Sequence, residues 1–506
     1  MTKKRNSNLY SHFARSYEDD GEKAVLIEEN RRLTFSDLDR RSAQFANCLC
    51  ALGGQPGDRV TVQVQKSAEA LALYLACLRA GFAYHPLNPG YKRKELEYFV
   101  GNAEPAAIIC DSADEQDLRS IAENAGTRRV YTLARDGSGS LSALADNSEA
   151  HFETVSSADD DLAALLYSLG TTGVPKRIML THGNLLANTE ALVKAWGFTA
   201  EDTLLHALPV FHVHGLFVGI GCVMLSGANM RWLETFDAGK VADLLPTCTV
   251  MMGVPTYYTR LLAESALSAE QCSGMRLFVS GSAPLLEETF VAFEQRTGHR
   301  ILERYGMTET NMNTSNPLEG ERKPGTVGPP LPGIDVRVVD DDGNILGADA
   351  NGNLQVRGPN VFAGYWRMPD KTAEDFTNDG YFNTGDVAKI DDDGYVSIVG
   401  RAKDLIITGG LNVYPKEVEL LIDDMPGIKE SAVIGVPHAD FGEGVVAIVV
   451  GDNNQASETK IRNALKADLA DFKVPKKVLF VSELPRNTMA KVQKNALRET
   501  YKDALR

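Results

Sequence analysis

"LAALLYSLGTTGVPKRIML", residues 162–180, joins two apolar runs through a segment where Gly170, Thr171, Thr172, Gly173 and Lys176 crowd together. Glycine permits tight turns, hydroxyls and backbone N–H groups cradle anionic oxygens, and a lysine adds a mobile charge, so these are the parts of a phosphate-binding loop. The Walker spacing G-x-x-x-x-G-K-[ST] is absent from the segment. A simple hairpin or a strand-to-helix turn also accounts for it taken alone.

Outward from this stretch, strand-like runs such as "RVTVQV", "AAIIC", "CTVMMGV" and "MRLFVSG" alternate with helix-like ones such as "AEALALYLACLRAG", "THGNLLANTEALVKAW" and "LLEETFVAFEQRTG". The alternation predicts layered α/β structure with parallel strands. From about residue 325 the texture turns to short alternating strands with tight turns, "DVRVVDDDGN", "GNLQVRG" and "YVSIVGR", which predicts a β-rich, antiparallel subdomain. After "GRAKD" the order helix, strand, strand, helix, strand predicts a small α+β unit of about 100 residues. The boundary falls near Arg401 to Lys403, giving an N-terminal unit of residues 1–401 and a C-terminal unit of residues 402–506.

A chain of 506 residues exceeds the size at which one core stops growing, in keeping with two or more domains. The formal charge of −16, with no basic tail to offset it, argues against a general binder of nucleic acid or anionic membrane, so any phosphate site must be a local basic feature. The basic N-terminus is followed by no apolar run, and no stretch reaches membrane-spanning length, which predicts a cytoplasmic enzyme. Seven scattered cysteines without metal-ligand spacing read as reduced, buried thiols.

Further stretches add to the loop: "LPVFHVHG", "VSGSAPL", "ERYGMTET", "YFNTGDVAKI", "GYVSIVGRAKDLIITGG" and "LPRNTMAK". In order and spacing they resemble the AMP-forming acyl-CoA synthetases, and "HALPVFHVHGL", "GVPTYYTRLL" and "ITGGLNVYPKEVE" look closest to malonyl-CoA synthetases. The resemblance implies a two-step reaction in which a carboxylate and ATP form an acyl-adenylate and pyrophosphate, after which the CoA thiol displaces AMP. ATP, Mg²⁺ and CoA are the implied cofactor and co-substrates, with no nucleic-acid or membrane partner.

The resemblance also carries roles. Thr171, Thr172 and Lys176 would cradle the triphosphate, while Thr308 and Glu309 would hold magnesium and phosphate oxygens. Ser282 and Ala283 with Glu303, Arg304, Tyr305 and Gly306 would embrace the adenine, Tyr305 offering a flat face. Asp386 would accept from the ribose hydroxyls, with Arg401 as a second ribose or phosphate contact. Lys491 would bridge carboxylate and α-phosphate, Lys403 would be the hinge, and Gly409 and Gly410 would line the CoA path. Arg260 and Ser282 match a malonate-binding pair, His212 shapes the acyl pocket, and Val213 and Met307 limit substituents on the acid. A lysine acetyltransferase acting on Lys491 would remove the charge that adenylation needs. His212 and His214 share metal-like spacing, but two histidines without a third ligand do not make a zinc site.

Three positions depart from the family pattern: Leu169 in place of Ser, Arg177 in place of Gly, and Ala490 in place of Gly. The alternatives are a ligase for another small acid (methylmalonate, succinate or an aromatic acid) and a nucleotide-binding protein attenuated by these changes. One lost hydrogen bond or one left-handed alanine costs about 1 kcal/mol, roughly a tenfold effect in rate rather than abolition. The expected outcome is an active enzyme whose turnover rises on Leu169→Ser, Arg177→Gly or Ala490→Gly, measured by steady-state kinetics.

Overall fold

The two apolar runs that flank the glycine- and threonine-rich segment pair as antiparallel strands. In a computed structural model, strand Leu162–Ser168 pairs antiparallel with Lys176–Thr181, with Tyr167 opposite Arg177 and Ser168 opposite Lys176. Helix His182–Ala195 follows directly, capped by a Thr181–Asn184 capping box. The structure describes residues 6–168, 175–401, 404–408, 411–438, 441–451, 456–469, 471–487 and 491–506. Leu169, Thr171, Thr172, Lys403, Gly409, Gly410 and Ala490 lie outside the described residues.

Among the described residues, the hairpin closes one edge of a six-stranded sheet that is otherwise parallel. An eight-stranded sheet carries the parallel strands Thr203–His206, Val250–Gly253, Leu277–Ser280 and Leu302–Met307 side by side. Helix Ala68–Arg79 is apolar almost all round and buried along nearly its whole length, as a helix enclosed by other elements must be. It stops before Gly81, whose φ of +73° ends the turn cheaply. One continuous apolar cluster runs through both sheets and this helix.

The β-rich segment is a four-stranded antiparallel sheet of Asp335–Val339, Gly352–Arg357, Phe382–Ile390 and Val396–Arg401. The last segment builds a separate five-stranded sheet, in which Gly442–Gly451 is central and pairs with the long strand Ile428–His438. Side chains alternate across that pair: Val433, Val445, Ala447 and Val449 enter one apolar cluster, while Ile434, Val446, Ile448 and Val450 enter another. Both faces of this sheet are therefore covered by apolar packing.

The sequence-based order of elements matches this architecture, with two omissions. Helix Lys494–Tyr501 is mostly polar and buries only Leu497, so its sequence carries little helical signal. The short hairpin Ile406–Thr408 with Leu411–Val413 falls inside a glycine-rich motif that reads as loop. The seven cysteines are free thiols, six of them buried. No helix among the described residues is long and apolar enough to cross a membrane.

Candidate active site

The quoted motifs converge where the parallel strands of the eight-stranded sheet end. Residues 207–214 follow Thr203–His206, residues 281–283 follow Leu277–Ser280, and Thr308 to Thr310 follow Leu302–Met307. The carboxyl ends of such strands are where α/β sheets bind ligands.

"ERYGMTET" forms a strand and tight turn rather than a helix start. Strand Leu302–Met307 runs back as Asn311–Ser315, and the turn is closed by Thr310 N–H donating to the Met307 carbonyl at 3.2 Å. Phe362 N–H on the Glu309 carbonyl at 2.8 Å and Asn360 Nδ2 on the Thr310 carbonyl at 2.6 Å pin the turn from outside. Gly306 is required here, because a Cβ would stand 1.9 Å from the Asn311 carbonyl.

The turn meets the hairpin. Ser168 Oγ donates to Glu309 Oε1 at 3.2 Å, and burial raises the Glu309 carboxyl against the pull of Lys176. Among the described residues Glu309 has no ion pair, and no cluster of three or more acidic, histidine or cysteine ligands forms a metal cage. A buried, unpaired carboxylate suits a hard cation whose other ligands come from phosphates and water. Lys176 Nζ donates to Asp375 Oδ2 and to Tyr365 OH, each at 3.0 Å. Arg177 points elsewhere: its guanidinium lies 5.8 Å from the Tyr98 ring centre, and its backbone carbonyl accepts from Trp366 N–H at 2.7 Å. Successive strand residues face opposite ways, so Arg177 puts its charge on the side away from Lys176. Arg177→Gly would remove the packing against Tyr98.

A second cluster forms where the β-rich sheet meets the strand ends. Arg401 Nε pairs with Asp386 Oδ1 at 2.8 Å, Arg401 Nη1 donates to the Thr384 carbonyl at 3.2 Å, and Tyr305 OH donates to Asp386 Oδ2. The Tyr305 ring is thereby held by its hydroxyl. Glu303 Oε1 accepts from Leu285 N–H at 3.0 Å, and burial pushes its carboxyl up to about 8.

Arg304 is the most unusual member. It is only 3% exposed, it has no ion pair among the described residues, and its Nε and Nη2 have no hydrogen-bond partner. Its guanidinium lies against Gly281, where a Cβ would stand 2.3 Å from Cζ. Burial lowers its pKa to about 10. Beside it, Ser282 holds φ +71°, an uncommon region for a side-chain-bearing residue, and its Oγ lies 3.3 Å from His214 Nδ1. Neither His212 nor His214 has a partner for Nε2, and Val213 between them is buried. Met307 lies half-buried at the end of its strand.

Two expected residues sit differently. Arg260 occupies the last turn of helix Pro255–Ala263 and is exposed, with no hydrogen bond to Ser282. Lys491 is exposed at the close of a small turn in which Asn487 N–H donates to the Lys491 carbonyl at 2.9 Å and Lys491 N–H donates to Asn487 Oδ1 at 3.0 Å. Solvent reaches it from one side, yet protein atoms desolvate the ammonium and, with Arg401, lower its pKa against the pull of Asp386 and Glu309. The C-terminal unit thus brings a cation to the cluster. Ser168, Asp375 and Tyr365 were not singled out by the sequence, because their roles depend on contacts made across the fold.

Loops at the strand ends, the Tyr305 ring held by Asp386 and a lysine from the C-terminal segment are therefore the parts of the site. The chain belongs to the AMP-binding enzyme family, whose description matches residues 13–366, with the AMP-binding enzyme C-terminal domain matching residues 417–491. The malonate–CoA ligase of Arabidopsis thaliana is 33% identical over 490 residues, covering 89% of this chain and 79% of that protein. ATP-bound MatB from Rhodopseudomonas palustris is 52% identical, covers 99% of this chain and 100% of its own, and superposes with a TM-score of 0.96. The apo form of that same protein gives 0.85, so the arrangement of parts here is closer to the ATP-bound form.

Burial also sets a pH response. His85, His182 and His212 are lowered from 6.5 to about 3, 4 and 4, chiefly by burial, with Arg59 adding to the effect on His85 and Lys491 to that on His212. The unfolded chain therefore binds more protons between about pH 4 and 6.5, and stability is lost as pH falls through that window. Glu303 acts oppositely: its folded value of about 8 lies above the ordinary 4.5, so its contribution is lost as pH rises toward 8. Scanning calorimetry is expected to show the highest midpoint near pH 6.5, and Glu303→Gln is expected to flatten the alkaline fall.

Proposed function

We propose that the protein is a malonate–CoA ligase that forms malonyl-CoA in two half-reactions. A malonate carboxylate attacks the α-phosphorus of ATP, giving malonyl-adenylate and releasing pyrophosphate. The CoA sulfur then attacks the acyl carbonyl, and AMP leaves with the bonding pair.

The observation that carries the substrate reading is Arg304. An unpaired buried guanidinium costs several kcal/mol, and a substrate bearing a second carboxylate offsets that cost by supplying the missing anion. A monocarboxylate has nothing to offer it. Ser282 and His214, next to each other at 3.3 Å, complete the polar end of the acyl pocket. We therefore assign the distal carboxylate to Arg304 with Ser282, in preference to the adenine face for Arg304, and place the exposed Arg260 at the pocket mouth. Val213 and Met307 bound the space at the acid's middle carbon, and His212, neutral at pH 7, packs beside the reacting carboxylate.

In adenylation, Lys491 would bridge the attacking carboxylate and the α-phosphate, holding two anions in line. Asp386 would accept from the ribose hydroxyls, Arg401 would donate to ribose or phosphate, and Tyr305 with Ala283 and Gly306 would face the adenine. Thr171, Thr172 and Lys176 would take the triphosphate, with Lys176 exchanging Asp375 for phosphate oxygens. Glu309, with Thr308, would hold Mg²⁺, which supplies neutralisation of phosphate charge. The proposed division is residues 1–401 for adenylation and 402–506 for a lid, with Lys403 as hinge and Gly409 and Gly410 beside the CoA path. Lys491, exposed and essential in this scheme, would also be the point at which an acetyltransferase silences the enzyme.

ATP–pyrophosphate exchange tests the reading directly. Exchange is expected to be strongest with malonate, weaker with methylmalonate and succinate, and weakest with acetate; an unchanged rate across the four acids would overturn the dicarboxylate assignment. Lys491→Ala is expected to abolish exchange while leaving thioester formation from supplied malonyl-adenylate. Arg304→Met is expected to raise the KM for malonate by roughly 30-fold or more, the equivalent of about 2 kcal/mol for a desolvated charge pair, and Arg260→Ala by less than tenfold.

A further inference from the structure

Lys66 lies between strand Arg59–Gln63 and helix Ala68–Arg79 and is buried at the seam of the two large sheets. Its ammonium has three hydrogens and meets three acceptors: His206 Nδ1 at 2.8 Å, the His206 carbonyl at 2.9 Å and the Leu208 carbonyl at 3.0 Å. The ammonium also lies 4.2 Å from the Trp232 ring centre, and the His206 ring packs on the same indole at 4.9 Å. Among the described residues no carboxylate forms an ion pair with Lys66.

An ammonium donating to Nδ1 leaves the His206 proton on Nε2, which donates to the Gly215 carbonyl at 2.9 Å. That carbonyl belongs to the wide π-helical turn His214–Gly219 and also takes the Ile220 N–H. The fit is close: a Cβ on Gly215 would stand 2.0 Å from the Pro209 carbonyl, and one on Gly219 would stand 3.2 Å from the His206 ring. Residues 207–214 are therefore held at their start by Lys66 and at their end by His206. His212 and Val213 hang between those two anchors.

We propose that Lys66, acting through His206, is a positioning and specificity-determining residue: its three directed hydrogen bonds fix the segment that carries His212 and Val213, and so set the width of the acyl pocket. The inference rests on the malonate reading. A side chain kept only for packing needs no charge here, because an apolar chain of the same length fills the space without the cost of desolvating an ammonium. What the ammonium adds is direction: two donors hold His206, at the end of its strand, and the third holds Leu208, at the start of the segment behind the pocket.

The test compares kinetic constants for malonate, methylmalonate and ATP in the full chain. Lys66→Met is expected to raise the KM for malonate at least tenfold, leave the KM for ATP within twofold, and lower the preference for malonate over methylmalonate several-fold. His206→Phe keeps the ring on Trp232 but cannot donate to Gly215, and is expected to do the same. His206→Gln, whose amide can replace the Nε2–H, is expected to restore at least half of the wild-type preference. Equal rises in both KM values, or His206→Gln behaving as His206→Phe, would overturn the proposal by showing bulk packing alone. If Lys66→Met does not fold, the two His206 variants decide. A wild type that gives no malonate-dependent exchange overturns the substrate reading and this inference with it, whereas an active wild type with unaltered variants overturns this inference alone.

Discussion

Asp386 and Arg401 face each other across neighbouring strands, and much of the candidate site is arranged around the pair they make. It fixes the Tyr305 ring through the tyrosine hydroxyl, which ties the β-rich sheet to the last parallel strand of the eight-stranded sheet. It also stands within electrostatic reach of Lys491, which arrives from the far end of the chain. Arg401 also ends strand Val396–Arg401, at the proposed boundary with the C-terminal unit.

Charge is organised against the bulk composition. The chain carries a formal charge of −16, yet its pocket gathers Arg304, Arg401, Lys176 and Lys491, with Lys66 behind the wall. Some of these cations are matched, Arg401 by Asp386 and Lys176 by Asp375. Arg304 has no ion pair among the described residues, while Lys66 is satisfied by neutral acceptors and its burial lowers its pKa. A focused local field in an acidic protein attracts small anions while the outer surface repels polyanions.

Much of this was legible in the sequence, for identifiable reasons. Alternating apolar runs gave the parallel layers and the antiparallel segment, because side-chain period follows backbone geometry. The glycine-rich and hydroxyl-rich stretches marked the strand ends, since close backbone approach leaves a compositional trace, as at Gly306. Exposure of individual charged residues left no such trace. Arg260 and Arg304 are equally plausible on paper, and only packing leaves the first in solvent and the second buried. Lys66 reads as an ordinary lysine before a helix, and its partners lie 140 residues away. The side to which Arg177 turns is set by strand alternation and by the register of the strand pair, neither of which the motif states.

The C-terminal sheet, apolar on both faces and covered on both, has a consequence for the energetics of motion. Most of the C-terminal unit's apolar side chains pack internally, and among the described residues Ile407, Leu420 and Phe441 are the large ones it leaves exposed. Its link to the Asp386–Arg401 pair runs through the charge of Lys491. Interactions of that kind weaken with ionic strength and change sign with the charge of whatever occupies the pocket. In the proposed reaction the nucleotide, more anionic before pyrophosphate leaves than after, would change the field that Lys491 meets there.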